Sequence, residues 1–207
     1  MADKIVENNQ VTIVGKIVSE FQYSHEVFGE GFYTVDVLVR RLSESSDIVP
    51  LLISDRLMDV TQDYRGKIIL ATGQFRSYNR HDEKKNHLVL SVFVQEFEFV
   101  EEDAGGAKSN QIFLDGYICK EPVYRKTPLG REIADLLIAV NRSYGKSDYI
   151  PCICWGRNAR FVSGFEVGAR LKIQGRIQSR EYVKRLSEDM TEKRTAYEVS
   201  VSKVDYV

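Results

Sequence analysis

Asn110-Gln111-Ile112-Phe113-Leu114-Asp115-Gly116 repeats, at a shift of 101, the earlier stretch Asn9-Gln10-Val11-Thr12-Ile13-Val14-Gly15. In both, apolar groups fall on alternate positions, the period of a half-buried strand, and both end on a glycine. Asp47-Ile48-Val49-Pro50 returns at the same shift as Asp148-Tyr149-Ile150-Pro151. Gly66 and Gly73 return as Gly168 and Gly175 at a shift of 102. The drift of one residue marks a loop insertion. Two copies of a unit of about 100 residues match an ordinary domain size.

Each copy reads as five strands. In the first they are expected near 10–20, 32–41, 47–54, 66–78 and 87–100, and in the second near 111–120, 132–142, 148–155, 168–182 and 195–206. Val35, Val37 and Val39 alternate with polar positions, as do Ala134, Leu136, Ile138 and Val140. Between the third and fourth strands, Asp55-Arg56-Leu57-Met58-Asp59-Val60 and Asn158-Ala159-Arg160-Phe161-Val162 can each form a short helix. Gly15 and Gly116, with the glycine pairs around the fourth strands, suit strands that bend. The expected fold is all-β: two tandem OB-folds, five-stranded Greek-key barrels each with a helix between strands three and four. The expected domains are residues 1–100, a flexible linker at 101–109 (Glu101-Glu102-Asp103-Ala104-Gly105-Gly106-Ala107-Lys108-Ser109), and residues 110–207.

The stretch Asp148-Tyr149-Ile150-Pro151-Cys152-Ile153-Cys154-Trp155-Gly156-Arg157 carries the chemistry. Ile150, Cys152 and Cys154 share one face, while Tyr149 and Trp155, the single tryptophan of the chain, share the other. Arg157 follows at the turn. Exposed aromatics beside a guanidinium suit a stacked nucleobase. For one aromatic alone, core packing is the more common role. The net charge of −1 conceals an asymmetry: residues 1–109 hold 12 Lys and Arg against 18 Asp and Glu, and residues 110–207 hold 17 against 12. The second half is the better partner for a polyanion. The three cysteines, Cys119, Cys152 and Cys154, form no disulfide framework and no zinc spacing, and Cys152 and Cys154 suit buried packing. No apolar run approaches a membrane span, so a reduced, cytoplasmic setting is expected.

The second copy closely resembles the bacterial single-stranded DNA-binding protein family. The resemblance lies in Asn110 to Gly116, in Pro122-Val123-Tyr124-Arg125-Lys126-Thr127-Pro128-Leu129-Gly130, and in Ile138-Ala139-Val140-Asn141-Arg142-Ser143-Tyr144. It continues through Asp148 to Arg157 and Gly168 to Tyr182, with Gln174-Gly175-Arg176 at its centre. The first copy resembles the family weakly. The resemblance implies sequence-independent binding of single-stranded DNA, in replication, recombination or repair, by stacking bases on Tyr144, Tyr149, Trp155 and Tyr182. Tyrosine stands at three of these positions, where familiar members carry tryptophan. Arg125, Lys126, Arg142, Arg157, Arg176 and Arg180 would meet phosphates. The equivalent first-copy positions are Ser43, Ile48, Ser54 and Arg80, so those platforms are lost. Tyr78 and Arg80 remain as candidate contacts there, and the hairpin from Asn79 to Asn86 carries mixed charge. Tyr23, Phe28, Phe32, Tyr33 and Phe75 are as well explained as core. The first copy reads mainly as an assembly and accessory binding domain.

The resemblance further implies a homodimer, which would bring four OB domains together. The family usually ends in an acidic tail that recruits replication and repair proteins. This chain stops at Ser202-Lys203-Val204-Asp205-Tyr206-Val207, still strand-like, which leaves either a trimmed chain or a member without that recruitment. An enzyme is disfavoured: the three histidines, His25, His81 and His87, form no catalytic or metal cluster with the cysteines, and no phosphate loop is present. No cofactor or metal is expected. An RNA-binding OB protein is an open alternative, because a stacking platform does not sense the 2′-hydroxyl. So is a primosome or recombination accessory module that binds proteins.

Overall fold

The computed structural model of the chain describes residues 7–82, 85–102 and 105–207; the side chains of residues 80–82, 85 and 86 stand outside that description. The first copy contains β1 (Asn9–Ile17), β2 (Gln22–Val27), β3 (Glu30–Arg40), β4 (Ser46–Ser54), β5 (Ile68–Asp82) and β6 (Lys85–Val100). The second contains β7 (Asn110–Lys126), β8 (Glu132–Asn141), a single 3-10 turn (Ser143–Gly145), β9 (Ser147–Trp155), the helix α1 (Gly156–Val162), β10 (Arg170–Arg185) and β11 (Thr191–Tyr206).

Each copy closes on itself. β1 pairs with both β3 and β5, and β7 with both β8 and β10. Short parallel contacts, β4 with β6 and β9 with β11, complete each barrel. Alternation dictates the interior: Ile13, Val37, Leu51, Ile69, Phe75 and Val92 are fully buried in the first copy, and Leu114, Ile138, Ile150, Leu171, Ile173 and Val199 in the second. Two tandem OB-folds are thus the architecture. Gly15 and Gly116 sit where β1 and β7 cross β3 and β8. A Cβ there would strike the carbonyl of Leu38 or of Ala139.

The structure differs from the sequence expectations in four respects. The first strand of the second copy runs on to Lys126, while its counterpart breaks into β1 and β2. The β10–β11 hairpin is longer than expected, reaching Arg185. Gly66 and Gly168 lie in turns before the fourth strands, with positive φ of 89° and 95°, not inside them. Lastly, the 55–60 connection forms turns rather than a helix. The reason is local. The Ser54 hydroxyl accepts from the Arg56 N–H, and Asp59 Oδ1 accepts from both the N–H and the hydroxyl of Thr61. These short side-chain bonds compete with helical ones. The counterpart around Ala159 lacks the aspartates and forms α1.

The copies join through their first strands. β1 and β7 run antiparallel with Val11 opposite Ile112, Gln10 opposite Phe113 and Asn9 opposite Leu114. Because the repeat equates Val11 with Ile112, that pair lies on a pseudo-twofold axis. The asparagine opening each repeat has a matching task. The Asn9 side chain donates to the Phe75 carbonyl and accepts from its N–H; Asn110 does the same to Ile177. Each extends the first-to-fourth strand ladder past the bulge at Gly73 or Gly175.

The axis also creates two seams. In one, Asp47 accepts two hydrogen bonds from Arg41, at 2.8 and 2.6 Å, and one from the Ser179 N–H of the other copy at 3.0 Å. The Ser179 hydroxyl accepts from the Ile48 N–H. In the other, Asp148 accepts from the Ser77 N–H at 2.8 Å, and the Ser77 hydroxyl accepts from the Tyr149 N–H at 2.7 Å. Arg142 Nε stands 3.2 Å from Asp148 as an ion pair without hydrogen-bond alignment. Burial raises the Asp148 carboxyl above its ordinary range, opposed by the Ser77 N–H and by Arg142 and Arg76.

Candidate nucleic-acid interface

Strand β9 positions two aromatics by its pleat. Ile150, Cys152 and Cys154 point into the barrel, so Tyr149 and Trp155 must point out. Tyr149 is 43% exposed and Trp155 38%. At about 3.3 Å per residue they stand roughly 20 Å apart along one strand face. Ile153 between them is buried. Gly156, with φ of 54°, turns the chain from β9 into α1 and places Arg157 in its first turn, exposed and without an ion pair among the described residues.

Tyr144 stands in the 3-10 turn with φ of 62° and is 92% exposed. A tyrosine held in the left-handed region is strained. The turn spends that strain on holding a phenol clear of the barrel. Tyr182 lies on β10, opposite Arg194 of β11, and the Arg180 guanidinium stands 6.0 Å from its ring centroid. That is the outer limit of a cation–π contact. Arg194 also faces His87 of the first copy at 3.5 Å, so Tyr182 sits close to the junction of the two barrels.

The six cations expected to meet phosphate divide. Arg157 and Lys126 are exposed and unpaired among the described residues. Arg125 is ion-paired with Asp135 at 3.0 Å, and Arg180 approaches Glu198 at 3.6 Å; both are at least half exposed, and such pairs exchange readily. Arg142 is different. Its guanidinium, 28% exposed, pairs with buried Asp148, the residue that bonds Ser77 of the other copy. Arg176 also lies between the copies. It bonds Gln178, and burial together with the charge of Arg41 lowers its proton affinity.

Of the first-copy candidates, Tyr78 is 41% exposed on β5. Arg80 lies on β5 with its backbone paired to His87, and its side chain, like the tip of its hairpin, falls outside the described residues. Phe32 and Phe75 are core, whereas Tyr23 and Phe28 are exposed, Phe28 completely. Sequence reading missed Arg194. Its place beside Tyr182 depends on the register of a long hairpin, and nothing local signals it. Burial holds the Cys154 thiol up at about 12 and raises Cys152 well above its ordinary value, so both stay protonated. Among the described residues no His, Cys, Asp and Glu group could hold a metal ion, and no helix is long and apolar enough to cross a membrane.

The model of the Single-strand binding protein family matches residues 109–207. Single-stranded DNA-binding protein A of Bacillus subtilis is 35% identical over 80 residues, covering 35% of this chain and 46% of that protein. Single-stranded DNA-binding protein 1 of Staphylococcus aureus is also 35% identical over 80 residues, covering 35% of this chain and 48% of that one. The chain thus spans about half the length of these curated relatives. The wild-type single-stranded DNA binding protein of Thermus aquaticus superimposes with a TM-score of 0.69 at 18% identity, over 96% of this chain and 92% of that one. That likeness shows the fold across both copies.

Proposed function

We propose that this chain, whose residues 109–207 match the model of the Single-strand binding protein family, binds and protects single-stranded DNA without reading its sequence. Bases stack on Trp155, Tyr149, Tyr144 and Tyr182. Phosphates meet Arg157, Lys126, Arg125 and Arg180, while Arg142 stays with Asp148. The observation that carries this reading is the outward pair of Tyr149 and Trp155 on one strand face, with Arg157 beside it. Only unpaired bases can stack in this way, so binding also melts weak hairpins. No turnover accompanies it. The domain boundaries at 101–109, a homodimer carrying four OB domains, and a cytoplasmic, nucleoid-associated setting belong to the same proposal.

Trp155→Ala tests it. Loss of one platform weakens binding to a dT oligonucleotide by about 1–3 kcal/mol while the salt slope stays near its parent value. Arg157→Ala also weakens binding and, unlike Trp155→Ala, flattens the slope by about one. Unchanged affinity in both variants would overturn this face. Competition between poly-dT and poly-U decides against RNA if dT is held more tightly.

A further inference from the structure

The two seams are equivalent by sequence but not by shape. At the first, the end of β3 with Leu42 and linker residues Gly106 and Ala107 overhang the outer surface of β7, β10 and β11. Between them lies a cleft of about 850 Å³, within the range of ligand pockets, about 300–1,000 Å³. At the second seam an aromatic ring stands at the corresponding place. The bulge glycines fix the equivalence, since Gly73 lies against the Phe93 carbonyl as Gly175 lies against that of Ser200. Phe93 therefore occupies the position that Ser200 holds in the open cleft. The Arg76 guanidinium covers its ring at 3.8 Å from the centroid. The cleft thus has a hydroxymethyl group where the second seam has a benzyl group.

The open cleft is cationic. Arg40, Arg41 and Arg176 line it, and among the described residues no carboxylate does. Asp47, fully buried, pairs with Arg41 and offsets part of this charge. The buried Nε of Arg176 has no hydrogen-bond partner among the described residues. Arg40 is exposed at the end of β3 with no ion pair among them, and its counterpart at the other seam is the neutral Asn141. Gln10, Gln111 and Gln174 supply neutral polar groups, and Trp155 lies on the wall. Guanidiniums, amides and two aromatics, Trp155 and Phe113, without acids among the described residues, match a phosphodiester strand better than a cationic ligand.

We propose that this cleft carries single-stranded DNA across the seam, from Trp155 of the second copy towards the first, with phosphates held by Arg40 and Arg176. The inference rests on the reading of the second copy as the DNA-binding face. Arg40 is a first-copy residue, so the acidic copy contributes directly to the strand's path.

The test uses the full chain, a long dT oligonucleotide, and the variants Arg40→Ala, Arg40→Lys and Ser200→Phe, each measured by anisotropy over a salt series. Arg40→Ala weakens binding several-fold and lowers the salt slope by about one, and Arg40→Lys restores most of both. Ser200→Phe, which puts the second seam's aromatic into the cleft, weakens binding as well. If the parent binds dT and quenches Trp155 but Arg40→Ala and Ser200→Phe keep the parent's affinity and slope, the cleft is not on the path. If the parent itself neither binds nor quenches, the second-copy reading falls and this inference falls with it. Arg40 lies at an exposed strand end, so its variants keep the test informative even if Ser200→Phe fails to fold.

Discussion

The fourth strands of the two copies invite direct comparison. The first reads Gln74-Phe75-Arg76-Ser77-Tyr78-Asn79-Arg80, the second Arg176-Ile177-Gln178-Ser179-Arg180-Glu181-Tyr182. The core positions, Phe75 and Ile177, are both buried, and the seam serines Ser77 and Ser179 make matching bonds. Between these fixed points the polar residues are exchanged. Glutamine and arginine trade places on either side of the core residue, and tyrosine and arginine trade places beyond the serine. Groups that hold the pseudo-twofold together must satisfy two partners at once, which leaves them little freedom. Exposed groups such as Tyr78 and Tyr182 carry no such double constraint, and there the copies part. The same division explains why Arg142 and Arg157, both arginines near an aromatic, do different work: one neutralises a buried carboxylate, the other faces solvent.

If the seams are what the copies share, breaking one has the largest effect. Asp148→Ala leaves Arg142 and Arg76 facing each other and the Ser77 N–H unbonded. A loss of about 3–5 kcal/mol in urea unfolding is expected, the scale for removing one member of a buried ion pair. Stability equal to the parent would show the seam to be dispensable. Asn9→Ala and Asn110→Ala then sharpen the comparison. Each strands a backbone N–H and carbonyl at a bulge, for about 1–3 kcal/mol, and the two costs agree because the geometry is repeated. A large inequality would mean that the copies are not folded by the same device. Outward residues give the opposite pattern: Tyr149→Ala lowers DNA affinity by about 1–3 kcal/mol, whereas Ile48→Ala at the equivalent first-copy position leaves it unchanged. Smallest is the thiol response. At pH 8, where ordinary thiols are partly ionised, native Cys152 and Cys154 resist alkylation because burial keeps them protonated. Unfolding exposes both, as mass spectrometry of the labelled protein would record.

Much of this was legible in the chain. The repeat gave both barrels, because Asn9 and Asn110, Gly15 and Gly116, and the bulge glycines are demanded by contacts within about one domain. Tyr149 and Trp155 could be placed outward from alternation alone. What escaped depends on the axis between the copies. Asp47 meets Ser179, and Asp148 meets Ser77, across separations that no local pattern registers. Arg142 therefore read as a phosphate contact, with no sign of its pair with Asp148, and Arg176 gave no sign of the cleft it lines with Arg40. The missing helix after β4 is a different case. Ser54 and Asp59 carry the signal for turns, and an apolar spacing that also suits a helix obscured it.

The central claim, that the second copy stacks single-stranded DNA on an outward aromatic face, is tested most directly by the fluorescence of Trp155. As the single tryptophan of the chain, it reports one site. Titration of the full chain with a long dT oligonucleotide, repeated over a salt series, should show strong quenching. The affinity should fall steeply as salt rises, through the release of counterions. Binding demonstrated by anisotropy without any change in tryptophan emission would contradict the account and place the strand elsewhere on the molecule.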